Sequence, residues 1–404
     1  MEIMRGSFCR IMEEFIVKFA KRMDRFDTGI FVQLANVKAE RLKKGLEVVD
    51  FSIGAPNIPP SQEIIDVLLA EAAKKENYVY AIQDHPVLLD TVAAWYKRRY
   101  GVTLDPGSEI VSLAGSQEGF SDIPMAVVDP GDYVLVPDPC YPAFVDGPKL
   151  AGAQIYFMPM TPENGYIIDL DAIPPEIAEK ASLMIINYPN NPTTAVAPPE
   201  FYHKVIAFAK KYNICVLADN AYSDLVFDGV YGGSFLEYEG AREVGIELNS
   251  LSKTYGLAGA RIGFCLGNRE LIARVKKIKS GDYGMFIPFQ LAAAKAISGD
   301  QSAVRTTREA YQARRDVLCR CFGEIGWTIP KSRATMFAWA QLPTGFESSE
   351  AFCMELLSRA GVLVTPGASF GPSGEGHVRI ALVRSEEEMQ RAALLIDESG
   401  ILKK

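Results

Sequence analysis

Lys253 stands among hydroxyls in Asn249-Ser250-Leu251-Ser252-Lys253-Thr254-Tyr255-Gly256, with Arg261 eight residues further on. An amine that attacks a carbonyl must be partly neutral, and desolvation or a neighbouring cation depresses a lysine into that range. Ser250 and Arg261 offer a hydroxyl and a guanidinium to an anion such as a phosphate. Taken alone, an exposed loop lysine is the commoner meaning of such a stretch. A second segment, Val216-Leu217-Ala218-Asp219-Asn220-Ala221-Tyr222, ends an apolar run in an acid. That carboxylate could keep a ring nitrogen protonated or simply cap a helix. In Asn187-Tyr188-Pro189-Asn190-Asn191-Pro192-Thr193, Asn191 offers an amide to a phenolic oxygen or a carboxylate, unless the segment is an ordinary Pro/Asn turn. Leu113-Ala114-Gly115-Ser116-Gln117-Glu118-Gly119 reads as a strand followed by a glycine-led helix start, whose free N–H groups make a weak anion seat.

The elements that must position these residues alternate between about residues 60 and 295. Glu109–Leu113, Tyr133–Val136, Leu183–Asn187, Cys215–Ala218, Gly245–Ser250 and Arg261–Leu266 read as buried strands. Helices are expected at Pro199–Tyr212, Glu270–Lys279 and Pro288–Ile297. Such alternation implies an α/β architecture with a mainly parallel sheet covered on both faces, and ligands gather at its carboxyl edge. Beyond it the spacing predicts a long helix at Ala303–Glu324, strands at Thr335–Gln341, Val362–Thr365 and Gly376–Leu382, and a closing helix at Ser385–Glu398. The expected organisation is a large domain over residues 60–295 and a smaller α+β domain from 1–59 and 296–404.

Composition narrows the function classes. The chain has 404 residues, is 48% apolar and carries a formal charge of −8. No Lys/Arg block suggests a nucleic-acid footprint, so a small ligand is expected. No apolar run is long enough to span a bilayer, and Glu13, Glu14 and Lys18 interrupt any signal-like core. A cytoplasmic location follows as the expectation. The seven cysteines are scattered and odd in number, against a disulfide framework, and the three histidines show no metal-ligand spacing with them.

Together the four segments, ordered as anion seat, Asn-Pro turn, strand-end acid and lysine, resemble the class I/II aminotransferases of fold type I, which use pyridoxal 5′-phosphate. The most specific pieces are Asn-Tyr-Pro-Asn-Asn-Pro-Thr, Ala-Asp-Asn-Ala-Tyr and Ser-Leu-Ser-Lys-Thr-Tyr with Arg-Ile-Gly after it. The resemblance covers about residues 25 to 400 and is nearest the bacterial LL-diaminopimelate and alanine aminotransferase branches. It implies a seven-stranded sheet in the large domain and a homodimer with shared sites. It implies that Lys253 forms the Schiff base and shuttles the proton at Cα. Asp219 would contact the pyridine nitrogen, and Tyr222 and Asn191 the phenolic oxygen. Gly115, Ser116, Gln117, Ser250, Ser252 and Arg261 would bind the phosphate, and Tyr141 would stack on the ring. Tyr80 would reach a phosphate in the partner subunit. Arg379 would fork onto the substrate α-carboxylate, with Asn191 beside it and Gly54 closing over the substrate.

Some positions depart from the family pattern. Tyr80 lacks the usual following glycine, which leaves Tyr78 as its rival; Ala260 stands where many relatives carry a larger aromatic; and Gly54-Ala55-Pro56-Asn57 lacks a frequent acid. Ala55, Asn57, Tyr283, Gly284, Met285, Phe286 and Ser369 are candidates for the wall that selects the substrate side chain. Ping-pong transamination with 2-oxoglutarate or pyruvate as acceptor is the expected reaction. A β-lyase acting on a cysteine-derived amino acid shares its proton-abstraction step and remains the alternative. A cofactor-sensing regulator would need a DNA-binding module, and the residues before Phe51 show no helix-turn-helix pair. The glycines of Gly256–Gly263 precede a strand, the wrong order for a dinucleotide loop.

Overall fold

A computed structural model of the chain describes residues 19–26, 31–279 and 284–403. Cys9, Glu13, Glu14, Lys18 and Tyr283 lie outside the described residues.

The strands, in chain order, are β1 (Val49–Asp50), β2 (Ile110–Ala114), β3 (Tyr133–Asp138), β4 (Gln154–Pro159), β5 (Ala181–Asn187) and β6 (Cys215–Asp219). They continue with β7 (Gly245–Ser250), β8 (Ile262–Gly267), β9 (Phe337–Gln341), β10 (Val362–Leu363), β11 (Thr365–Pro366) and β12 (His377–Ala381). Seven of them form one sheet in the order β2-β8-β7-β6-β5-β3-β4, and all run parallel except β8, which is antiparallel to both neighbours. β5, β6 and β7 sit in the middle and are almost wholly buried, as continuous apolar runs between helices must be. The register places Asn187 beside Asp219 and Asp219 beside Leu248, so these strands end together.

The seventh strand, β4, is absent from the sequence-based set. It is an edge strand, Gln-Ile-Tyr-Phe-Met-Pro, only partly covered and without the uniform burial of its neighbours. The expected strand at Arg261–Leu266 begins one residue later, because Arg261 takes a left-handed conformation (φ 53°). The expected single strand Val362–Thr365 is divided: β10 pairs with β1, whereas β11 begins at Thr365 and pairs with β12. Helix Pro199–Tyr212 appears with the expected bounds and stops at Asn213, whose φ of 57° closes its last turn. The closing helix is Glu386–Ser399, with Ser385 as N-cap and Glu388 completing a capping box.

Besides a third apolar cluster on the opposite face of the sheet, around Leu113, Phe120, Leu183 and Leu217, two apolar cores flank the site. One packs Met184, Ile186, Val216, Ala218 and Phe264 of the large sheet against helices that include Pro86–Tyr100 and Ile287–Ser298. The other gathers β9 and β12 with helices Ser302–Glu324, Ser349–Ala360 and Glu386–Ser399. Leu34, Val49 and Phe51 of the N-terminal segment join this second core, and so do Tyr222, Leu225 and Phe227 from the loop after β6. The site therefore lies where the carboxyl edge of the sheet meets the second core.

Candidate active site

At the ends of β5, β6 and β7 a cavity of about 230 Å³ is lined by Ser116, Gln117, Tyr141, Asn191, Asp219, Tyr222, Ser250, Ser252, Lys253, Arg261, Arg379 and Gly54. Phe120, Ala221, Ala258 and Phe337 complete its wall. A larger cleft of about 890 Å³ opens at the amino ends of β5 and β6, around Lys180 and Arg274. It contains none of these groups, and open parallel sheets present their chemistry at the other edge.

Lys253 sits on the short helix Leu251–Thr254 that follows β7 directly. Ser250 starts that helix, its hydroxyl accepting from the N–H of Ser252 at 3.1 Å. The lysine Nζ donates to the carbonyl of Gly54 at 2.9 Å. Burial, then the charges of Arg379 and Arg261, push its amine down to about 8, against the opposing pull of Asp219. A substantial fraction is thus neutral and nucleophilic near physiological pH.

Asp219 ends β6, buried, with Oδ2 accepting from Asn187 Nδ2 at 3.2 Å. Its other oxygen, Oδ1, is buried without a hydrogen-bond partner. Burial pushes this carboxyl up to about 7, and the nearby Glu247 charge adds to the rise. A cationic donor at Oδ1 would satisfy the orphan oxygen and return the acid to its ionised form.

The anion seat is built from glycine and arginine together. Gly115 has φ 80°, and a Cβ there would overlap Arg261 Nη2, so only glycine admits the guanidinium. Arg261 is held by the carbonyls of Ala258 (3.1 Å) and Ala114 (3.5 Å). Ser116 and Gln117 open helix Ser116–Val127 beside it, and Tyr141 donates to Gln117 Oε1 at 3.3 Å.

Opposite, Arg379 projects from β12 and is 7% exposed. Its Nη1 donates to Asn191 Oδ1 at 2.9 Å and its Nη2 to the carbonyl of Ser52 at 3.2 Å. Since Arg379 occupies the oxygen of Asn191, the Nδ2 end of that amide is the one directed to donate. The guanidinium carbon lies 4.2 Å from the ring centre of Phe337 and 4.6 Å from that of Phe370. Burial lowers its pKa to about 10, and its Nε has no partner, which leaves donor capacity for a carboxylate. Tyr222 packs edge-on to Phe337, and burial holds its phenol well above its ordinary pKa.

Thus every sequence-predicted site residue except Tyr80 converges here, Gly115 through its contact with Arg261. Tyr80 is 76% exposed and does not line the cavity. Its rival Tyr78 is also exposed and donates to the carbonyl of Ala72 at 2.9 Å. None of the described residues proposed for the specificity wall lines this cavity. Asn57 accepts from Arg314, Gly284 donates to the carbonyl of Ala81, Met285 packs on the large core and Phe286 packs on Tyr78. Ala55 and Ser369 are likewise absent from the lining. Sequence reading missed Phe337 and Phe370 as partners of Arg379, and Asn187 as partner of Asp219. Asn187 lay within the quoted Asn-Pro segment, whereas the two phenylalanines gave no signal beyond core packing.

The donor set fits pyridoxal 5′-phosphate: a partly neutral amine, an orphan carboxylate oxygen, phenol and amide donors, and a separate anion seat. A type I fold carrying that set of groups defines a pyridoxal-phosphate-dependent enzyme. The chain belongs to the aminotransferase class I and II family, whose model it matches over residues 47–396. It is 43% identical over 375 residues to LL-diaminopimelate aminotransferase of Moorella thermoacetica, covering 92% of this chain and 96% of that protein. The enzyme of the same name from Dehalococcoides mccartyi is 40% identical, covering 93% and 97%. Among solved structures, substrate-bound BacF from Bacillus subtilis superposes with a TM-score of 0.91 at 36% identity, covering 95% of this chain and 98% of BacF. A probable N-succinyldiaminopimelate aminotransferase from Thermus thermophilus gives 0.86 at 33% identity, covering 92% and 100%. The chain is therefore a transaminase acting between an amino acid and a 2-oxo acid, and β-elimination is not favoured.

Proposed function

We propose that this transaminase takes LL-diaminopimelate as amino donor and 2-oxoglutarate or pyruvate as acceptor, with Lys253 as its catalytic residue. Kinship at 43% identity supports the donor, and the Lys253 amine, partly neutral between Asp219 and two arginines, carries the chemistry. Bound in this cavity, pyridoxal 5′-phosphate supplies an aldehyde carbon for amines and a ring that accepts the electron pair released at Cα.

Lys253 Nζ holds the covalent position, then takes the Cα proton from the substrate and returns it on the other side of the transfer. Gly54 O accepts from that amine, which fixes it toward the substrate. Asp219 Oδ1 would accept from the ring N–H and so keep that nitrogen protonated. Tyr222 and Asn191 would donate to the phenolic oxygen, and Tyr141 would stack on the ring. Gly115, Ser116, Gln117, Ser250, Ser252 and Arg261 would bind the phosphate. Arg379 forks onto the α-carboxylate and thereby orients Cα–H toward Lys253. The exposed Tyr80 reaches the phosphate of a second copy, so the working unit is a homodimer. In this reading the large domain spans residues 60–295, residues 1–59 and 296–404 form the smaller one, and the enzyme works in the cytoplasm.

Replacing Lys253 with Ala should abolish turnover and the absorbance band of the cofactor joined to the lysine; retention of both would overturn the assignment. A donor panel with both acceptors should show LL-diaminopimelate preferred over alanine.

A further inference from the structure

Glu118 lies in the first turn of helix Ser116–Val127, one residue beyond the anion seat, where a negative charge competes with any anion bound at the helix N-terminus. Its side chain folds back rather than outward. Oε2 accepts from the backbone N–H of Ala114, which holds the end of β2 to the helix start. Oε1 pairs with Lys279, the last residue of helix Arg269–Lys279. The two side chains are 17% and 11% exposed, so water screens this pair far less than the surface pairs elsewhere. Lys279 thus reaches the seat from a helix 161 residues away in sequence.

We propose that Lys279 is a positioning and charge-balancing residue for the cofactor phosphate: it neutralises Glu118, which braces the seat but opposes its anion. Glu118 braces the seat because its Oε2 anchors Ala114, whose carbonyl in turn accepts from Arg261. The brace and the phosphate's guanidinium therefore share one residue of backbone. Lys279 lets the seat keep the brace without the repulsion. This inference rests on the reading of Gly115, Ser116 and Gln117 as the phosphate seat.

The test compares pyridoxamine 5′-phosphate with pyridoxamine, which lacks the phosphate, by tryptophan-fluorescence titration of the full chain stripped of cofactor. Lys279→Met should weaken the phosphorylated ligand roughly tenfold or more, the order expected of an uncompensated charge about ten ångströms away at an effective dielectric of about 20. It should leave pyridoxamine within about twofold of wild type, a selectivity set by the same charge effect. The double variant Glu118→Gln/Lys279→Met, which keeps an acceptor for Ala114 N–H, should recover most of the loss. Equal weakening of both ligands, no weakening, or no recovery in the double variant would each overturn the proposal. Should Lys279→Met fail to fold, Glu118→Gln alone decides: unchanged or tighter binding of the phosphorylated ligand is expected, and weaker binding overturns it. If wild type itself did not prefer the phosphorylated ligand, the seat assignment, and not the role of Lys279, would have failed.

Discussion

The cavity holds two arginines, and they are mounted by opposite means. Arg261 is exposed, sits in a left-handed turn and leans on two backbone carbonyls, with Gly115 cleared of a side chain to admit it. Arg379 is buried, lies against two phenylalanine rings and is tied to an amide and a carbonyl. Neither forms an ion pair among the described residues. On the function proposed above, the difference matches two tasks. A cofactor phosphate stays in place through many turnovers and is held by several partners, so one solvent-screened cation suffices. A substrate carboxylate exchanges at every half-reaction and has little else to orient it, so its cation must be fixed and dry before it arrives.

The largest effect should come from Arg379→Met. Truncating one partner of a buried charge pair costs about 2–5 kcal/mol, so kcat/KM should fall on the order of a hundredfold to a thousandfold for donor and acceptor alike. Cofactor affinity should stay near wild type, as read by equilibrium dialysis; a fall in both would dissolve the contrast between the two arginines. Arg261→Met should do the reverse at smaller scale, with cofactor affinity roughly tenfold weaker, as suits an exposed and screened charge. Its kcat at saturating cofactor should change little, and raising salt should narrow the gap between variant and wild type.

The smallest effect concerns Lys253, which both arginines face. Its neutral form is the nucleophile, so the rate of cofactor association should rise with pH through about 8 and then level. Removing either cation must raise the amine's pKa and move that midpoint to higher pH. Arg379 contributes more to the depression than Arg261, so Arg379→Met should move it further. The opposite order in stopped-flow association profiles would show that exposure does not rank the two charges.

Much of this was legible because the residues that do chemistry sit at the ends of buried, uniformly apolar strands. β6 and β7 run straight into Asp219 and Lys253, and chain order alone brings those ends together. β4 escaped because an edge strand need not be apolar throughout. The aromatic pair around Arg379 escaped for a different reason. Phe337 and Phe370 come from separate elements, and buried phenylalanines there look no different in sequence from those that merely fill a core. Tyr80 could be named from resemblance but not completed within one chain, because its place lies on the surface. Among the residues offered as a specificity wall, Asn57 shows that nearness in sequence to motif residues does not fix a side chain's partner: it accepts from Arg314.

Gly54 has a consequence for anyone who would redesign donor range. Its carbonyl anchors the reactive amine, and a Cβ there would stand 2.8 Å from the Phe337 ring that supports Arg379. On the proposed function, a single methyl group at residue 54 would therefore disturb proton transfer and carboxylate recognition at once. Library design at the mouth should leave that position untouched and vary its neighbours instead.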